Sequence, residues 1–112
     1  MKIYLYGLNE DHNFCINEAE VNETLMLYKS KNNTWLWPSY SKQLRKTDEG
    51  QVKCDCSRIY IFFTERNDKE AQKQLQWYYT KQYDKAVLKA KEEHLKVERI
   101  KHVKEPVKYE QR

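Results

Sequence analysis

The sequence of 112 residues is poor in glycine and proline, with two of each, and it has no long apolar run. So little glycine and proline excludes collagen-like, linker-type and most loop-rich architectures. A transmembrane helix needs about 20 mostly apolar residues, whereas the longest apolar runs here have four or five. The N-terminal apolar segment ends at Leu8, which is too short for a signal peptide. We therefore expect a cytoplasmic protein with no membrane contact.

Cysteine is also scarce, and the residue clusters that most enzymes use are missing. Three cysteines are an odd number and too few to cross-link a chain of this size, so we expect reduced thiols. The isolated Gly7 and Gly50 exclude a phosphate-binding loop or a dinucleotide fingerprint, because both need clustered glycines. No histidine and serine or cysteine form a recognisable nucleophile elbow. The sequence thus predicts a protein that is not an enzyme and holds no cofactor.

Charge is abundant and unevenly distributed. Charged residues make up 34% of the chain and apolar residues 39%, the latter below the usual range of about 45–50% for a globular domain. Residues 1–28 hold one base and five acids, residues 29–53 hold six bases and two acids, and residues 54–112 hold fourteen bases and ten acids. The net charge of +4 therefore belongs to a dipolar molecule rather than a uniformly basic one.

The first half of the chain has the pattern of short strands. Apolar residues alternate with others over short segments that are separated by polar turns. We interpret residues 51–63 as one strand with a bulge near Ser57, where the apolar alternation changes face. The pattern predicts four to five strands in a small antiparallel sheet or barrel. The segments concerned are residues 3–6, 14–16, 25–28, 39–46 and 51–63.

The second half has the pattern of one long helix, which makes the fold class α+β. Asn67 followed by Glu70 has the form of a capping box, and neither glycine nor proline occurs in residues 68–104. We expect the helix over 68–104, with its first half packed on the sheet and its second half projecting. Residues 1–104 would then form one domain and 105–112 a flexible tail. The predicted packing stripe consists of Ala71, Leu75, Tyr78, Tyr79, Gln82, Ala86 and Ala90.

A basic and aromatic segment in the middle of the chain is the best candidate for a binding site. Rings interleaved with cations suit single-stranded nucleic acid, because bases stack on the rings and phosphates pair with the cations. The same composition is typical of protein-binding hot spots. A third interpretation is that the two tryptophans close one end of the barrel. The residues that we assign to partner binding are Trp35, Trp37, Tyr40, Lys42, Arg45 and Lys46, with Lys29 and Lys31 beside them in the nucleic-acid interpretation.

The cysteines leave a metal site open as an alternative. Cys54 and Cys56 would share one face of a strand, and His12 and Cys15 would complete the ligand types of a zinc site. The spacing differs from that of zinc knuckles, which use a turn between the paired cysteines. We therefore expect no metal, with Cys54 and Cys56 packed on the inner face of the strand.

The order of the parts resembles a group of small accessory proteins encoded by phages and prophages of low-GC Gram-positive bacteria. The segments that carry the resemblance are 22–28, with the sequence NETLMLY, and 58–64, with the sequence RIYIFFT, followed by a long charged helix. The resemblance implies a non-enzymatic factor that binds and modulates a host protein, or alternatively a nucleic-acid-binding module. A homodimer through the C-terminal helix is a further alternative, since apolar residues recur along it without a continuous heptad.

Overall fold

The structure is a computed structural model that describes residues 1–102 and Pro106. Six β-strands and a short 3-10 helix precede one long α-helix, which confirms the α+β class. The strands are β1 (Lys2–Leu8), β2 (Phe14–Glu23), β3 (Leu27–Ser30), β4 (Gln43–Arg45), β5 (Lys53–Asp55) and β6 (Arg58–Phe63), and the helix is α1 (Asp68–Lys101).

All six strands form one antiparallel sheet in the order β4-β3-β2-β1-β6-β5. The sheet is curled into a half-barrel, so that its two edge strands, β4 and β5, line a common groove. The expectation of an antiparallel sheet is confirmed. The expectation of four to five strands is wrong by one strand.

The additional strand comes from a hairpin within residues 51–63, which the sequence pattern predicted to be a single bulged strand. Asp55 pairs with Arg58 across a two-residue turn made of Cys56 and Ser57. Both turn residues have positive φ, 49° and 69°, as a type I′ turn requires. This turn usually carries Asn-Gly or Asp-Gly, and Cys-Ser gives no such signal.

One face of the sheet encloses the larger of two cores. Alternate residues of the strands point to it, among them Ile3, Leu5 and Phe62, which are fully buried. Leu36, from the loop between β3 and β4, is buried in the same cluster. The complete cluster contains Ile3, Leu5, Val21, Tyr28, Leu36, Leu44, Tyr60 and Phe62.

The opposite face of the sheet packs against the beginning of α1. Tyr6 and Ile61 from the sheet and Ala71 and Leu75 from the helix form the second core. This confirms that the first part of the helix packs on the sheet. The predicted stripe is nevertheless too long, because Ala71 and Leu75 are the buried residues of α1.

The N-terminus of α1 is held by a tyrosine rather than by the predicted capping box. The Asn67 backbone N–H donates to the Tyr6 hydroxyl at 2.9 Å, and that hydroxyl donates to Asp68 Oδ1 at 2.6 Å. Glu70, the expected partner of Asn67, accepts a hydrogen bond from Gln74 instead. Tyr6 therefore links the central strand directly to the first turn of the helix.

The chain divides into two compact units, Met1–Tyr79 and Thr80–Arg112. The first holds the sheet and the start of α1, and the single domain over 1–104 stays a prediction. The helix is described as far as Lys101, and its predicted continuation through 103–104 lies outside the described residues. So does the predicted tail of 105–112, apart from Pro106. Within residues 1–102, no helix combines the length and apolar character that crossing a bilayer requires.

Candidate functional site

The basic and aromatic segment lies in the loop between β3 and β4, and this loop is anchored from within. Leu36, Pro38 and Ser39 are buried, at 1%, under 2% and 2% exposure. Ser39 Oγ donates to the Leu36 carbonyl at 2.6 Å, and the Leu36 N–H donates to the Ser41 carbonyl at 2.9 Å. The interior of the loop is therefore fixed by packing and by its own hydrogen bonds.

A close approach between the loop and β1 fixes the loop on the sheet. An added Cβ at Gly7 would lie 2.6 Å from Pro38 Cγ and 3.1 Å from the Ile59 carbonyl oxygen. Asn17 Nδ2 on β2 donates to the Trp37 carbonyl at 2.9 Å. Only a residue without a side chain at position 7 leaves Pro38 room to pack on the strand.

Leu36 and Pro38 point inward, whereas two of the three aromatic side chains of the loop, Trp35 and Tyr40, are exposed to solvent. Trp35 is 63% exposed and Tyr40 is 44% exposed. The interpretation in which the tryptophans close the barrel is therefore wrong for Trp35, because Leu36 occupies that position in the core. Exposure on this scale is unusual for tryptophan, which is highly buried on average.

Each exposed ring of the loop is paired with a cation. Lys42 Nζ lies 4.9 Å from the centre of the Trp35 ring, and the Arg58 guanidinium carbon lies 4.1 Å from the centre of the Tyr40 ring. The Tyr40 N–H also donates to Asp55 Oδ2 at 2.9 Å. Cation–π contacts at exposed sites favour such an arrangement by about 0.5–1 kcal/mol.

Trp37 is partly buried and lines a cleft of about 350 Å³. The cleft lies between the loop and the ends of two hairpins, with Arg58 from β6 and Tyr79 from α1 on its wall. The lining residues are Leu8, Asn9, Glu10, His12, Trp37, Pro38, Ser57, Arg58, Ile59 and Tyr79. Trp37 and Tyr40 are thus connected through Arg58, which contributes both to the cleft and to the Tyr40 pair.

The basic residues that we assigned to the site do not form one cationic surface. Lys46 Nζ lies 2.5 Å from Glu23 Oε1, and Lys31 Nζ lies 3.7 Å from Glu20 Oε2. The acids of β2 therefore neutralise two of the bases expected to contact nucleic acid. Arg45 is exposed on the edge strand β4, and Lys42 is bound to the Trp35 ring.

The cysteines are placed differently from either sequence interpretation. Cys54 and Cys56 are exposed, so the prediction that they pack on the inner face of a strand is wrong. Cys56 lies in the hairpin turn rather than in a strand, which removes the geometric basis for two parallel thiols. In the described part of the chain, no three His, Cys, Asp or Glu side chains are grouped so that they could hold a metal ion.

Two residues of the site were not predicted from the sequence. The sequence pattern predicts Arg58 inside a continuous strand and Tyr79 in the packing stripe of the helix. Recognition of the Cys56–Ser57 turn would have placed Arg58 directly after a hairpin turn. Its pairing with Tyr40 depends on the tertiary fold and has no signal in the local sequence.

Comparisons with protein-family models, with curated proteins and with solved structures give no match to this chain.

Proposed function

We propose that this chain is a non-enzymatic binding protein that docks onto another protein through the loop between β3 and β4. The observation that carries the proposal is Trp35, a tryptophan 63% exposed on a loop in which Leu36, Pro38 and Ser39 are buried. Tryptophan, tyrosine and arginine dominate protein-binding hot spots. Tryptophan and tyrosine cover much area with two side-chain torsions to fix, and arginine presents several donors on a planar group. Trp35, Trp37, Tyr40 and Arg58 supply this set on one loop and the adjoining strand.

Local order supports the same conclusion. Binding costs less free energy when the contact residues are already held in place. The Trp35 ring is held by Lys42 and the Tyr40 ring by Arg58, while the Leu36 and Pro38 anchors fix the backbone between them. We propose that the partner is a host protein and that the chain acts as an accessory factor of a phage or mobile element, as the resemblance of its layout implies.

Nucleic acid remains the second candidate because rings and cations do occur together in the loop. The pairing of Lys31 and Lys46 with acids of β2 argues against it. The net charge of +4 is also modest for a chain of 112 residues. Nucleic-acid binding would weaken steeply with salt as counterions are released, whereas docking of an aromatic surface would not.

The experiment immobilises the chain and exposes it to a nuclease-treated lysate of a low-GC Gram-positive bacterium at 0.15 M and about 1 M salt. Retained proteins are identified by mass spectrometry for the wild type, Trp35→Ala and Trp77→Ala. Trp77 is a matched control, because it is also a tryptophan, 61% exposed, but lies on α1. We expect one protein to be retained at both salt concentrations by the wild type and by Trp77→Ala, and to be lost from Trp35→Ala.

Equal retention by Trp35→Ala and the wild type would contradict the proposed site. Retention of nucleic acid from an untreated lysate that disappears at the higher salt concentration would favour the second candidate.

A further inference from the structure

The two edges of the half-barrel form a groove that none of the strands in the described part of the chain fills. β4 and β5 follow one another in the chain, yet they lie at opposite ends of the strand order. The curl of the sheet brings them to the two sides of a groove of about 450 Å³. Its lining residues are Leu27, Ser41, Gln43, Leu44, Arg45, Asp48, Lys53, Cys54, Asp55 and Tyr60.

On the β4 side, the hydrogen-bond pattern turns one residue toward the groove. The Ser30 N–H donates to the Lys42 carbonyl, and the Lys46 N–H donates to the Met26 carbonyl. Residues of an antiparallel strand alternate between facing the partner strand and facing away from it. Since Lys42 and Lys46 face β3, Gln43 and Arg45 face away from it. The Gln43 N–H and C=O are hydrogen-bonded to Ser41 Oγ, so Arg45 is the residue that presents its N–H and C=O to the groove.

The same alternation applies on the β5 side. Asp55 pairs with Arg58 to close the two-residue turn, and Lys53 pairs with Tyr60. These pairs face β6, so Cys54 between them presents its N–H and C=O away from β6. The groove therefore has a backbone donor and a backbone acceptor on each wall.

The floor of the groove is apolar with one polar atom. Leu44 and Tyr60 are 5% and 6% exposed and belong to the inner core. No hydrogen bond joins the Tyr60 hydroxyl to another residue in the described part of the chain. Because no buried side-chain oxygen there lacks a partner, this hydroxyl reaches solvent, although the residue as a whole is 6% exposed. Burial, reinforced by Asp55 and Asp48, raises the pKa of Tyr60 to about 12. The hydroxyl is therefore a donor at neutral pH that is open to solvent.

The rim of the groove has no excess of either charge. Arg45 and Lys53 stand against Asp48 and Asp55, and Lys53 Nζ lies 3.2 Å from Asp48 Oδ1. A balanced rim does not select a polyanion. Main-chain hydrogen-bonding groups on two walls above an apolar floor fit an extended polypeptide instead.

We propose that the groove binds an extended segment of the partner protein, which adds to the half-barrel as a further strand. Strands β4 and β5 have three residues each, or about 10 Å of strand, so about three residues of the segment are bound. The central residue is apolar and faces Leu27, Leu44 and Tyr60, while its backbone accepts a hydrogen bond from the Tyr60 hydroxyl. This inference rests on the proposed protein-binding function and names the form in which the partner is bound.

The experiment selects binders from a displayed library of random linear heptapeptides. The enriched sequence is then synthesised, and its affinity and its effect on amide hydrogen exchange are measured. We expect sequences with an apolar residue at one fixed position. On binding, the amides of Arg45 and Cys54 become protected from exchange.

Two variants and one control locate the binding. Tyr60→Phe removes the donor, and we expect it to weaken binding about three- to tenfold. Tyr28→Phe is the matched control, because Tyr28 is also 6% exposed in the inner core but does not line the groove; its affinity stays within about twofold of the wild type. Arg45→Pro removes the outward N–H without breaking a ladder bond, and it abolishes binding while the circular dichroism spectrum is retained.

The inference is overturned if no sequence is enriched, or if the enriched peptide binds Tyr60→Phe and Arg45→Pro as it binds the wild type. Its failure is distinct from failure of the proposed function. Protein retention that depends on Trp35 but not on Tyr60 or Arg45 would contradict binding at the groove and would still support binding through the loop. Peptide binding at the groove without any Trp35-dependent retention would contradict the proposal that the partner binds through the loop.

Discussion

Gly7 is the residue on which the position of the loop most depends. A methyl group at this position would lie 2.6 Å from Pro38 Cγ, so the loop or the strand must shift. We expect Gly7→Ala to lower the free energy of unfolding by about 2–3 kcal/mol, as overpacking of a core does. The measurement is urea denaturation followed by circular dichroism.

Gly50 supplies the comparison for that prediction. Its φ is +74°, but an added Cβ would meet only Phe63 Cε1, at 3.5 Å. We therefore expect Gly50→Ala to lower the free energy of unfolding by about 1 kcal/mol, the cost of placing alanine in the left-handed backbone conformation. An unfolding free energy of Gly7→Ala equal to or above that of Gly50→Ala would show that Pro38 does not need the space.

Tyr6 makes the stability of the fold sensitive to acid through Asp68. The hydrogen bond from the Tyr6 hydroxyl, and then that from Arg66, lowers the pKa of Asp68 below its usual value. The stabilisation by this carboxylate is present above the pKa of the unfolded state, near 3.8, and is lost as the pH falls through the lower pKa of the folded state. The unfolded chain binds the proton first, so stability rises with pH in this range.

Tyr6→Phe tests this linkage. The variant loses the acceptor of the Asn67 N–H, so we expect about 1–2 kcal/mol of destabilisation at neutral pH. It should also lose less stability than the wild type between pH 5 and pH 2, because the Asp68 pKa moves back toward its ordinary value. Urea midpoints at both ends of this range give the comparison, and parallel losses in the two proteins would contradict the role of Tyr6.

Among the elements, the β5–β6 hairpin has turn residues that fit their conformation poorly. Cys56 and Ser57 both have positive φ, a region that costs most residues about 1–2 kcal/mol but suits asparagine and glycine. The double substitution Cys56→Asn and Ser57→Gly should therefore raise the free energy of unfolding by about 1–2 kcal/mol. Thermal denaturation measures this, and an unchanged or lower melting temperature would show that the turn is not under strain.

The β5–β6 hairpin shows which features of the fold can be predicted from the sequence and which cannot. Alternating apolar residues predicted the strands and their antiparallel arrangement, because alternation reflects burial on one face. The turn was missed because Cys-Ser has no intrinsic preference for it. The helix was predicted nearly to its observed bounds, since a long segment without glycine or proline leaves few alternatives.

The contacts that define the candidate site are harder to predict from the sequence. The sequence identified Trp35 and Tyr40, yet the choice of Leu36 as the buried residue depends on the space inside the half-barrel. Tyr6 and Asn67 are 61 positions apart, and Arg58 reaches Tyr40 only after the sheet has curled. Interactions of this range follow from the assembled fold and leave no local pattern.

At the scale of the whole molecule, the unit Thr80–Arg112 presents apolar side chains on its described helix. Leu88, Leu95 and Ile100 are 61%, 56% and 75% exposed. Bases predominate over residues 81–89 and acids over residues 92–98, so two antiparallel copies would set opposite charges against each other. We expect a dimer with a micromolar dissociation constant in sedimentation equilibrium.

The matched variants for this prediction are Leu95→Lys and Gln82→Lys. Both add one positive charge to the same helix, but only Leu95→Lys removes an apolar contact. Leu95→Lys should sediment as a monomer at concentrations where Gln82→Lys and the wild type are dimeric. A wild type that stays monomeric at about 100 µM would contradict the predicted dimer, because a micromolar dissociation constant implies mostly dimer there.

The central claim is that the chain binds another protein through an anchored loop that presents Trp35. The most direct measurement is the dissociation constant of the purified retained partner for the wild type, Trp35→Ala and Trp77→Ala by isothermal titration. The account predicts that Trp35→Ala raises the dissociation constant by at least about thirtyfold, as loss of a hot-spot tryptophan does, while Trp77→Ala changes it less than about twofold. Equal dissociation constants for Trp35→Ala and the wild type would contradict the account.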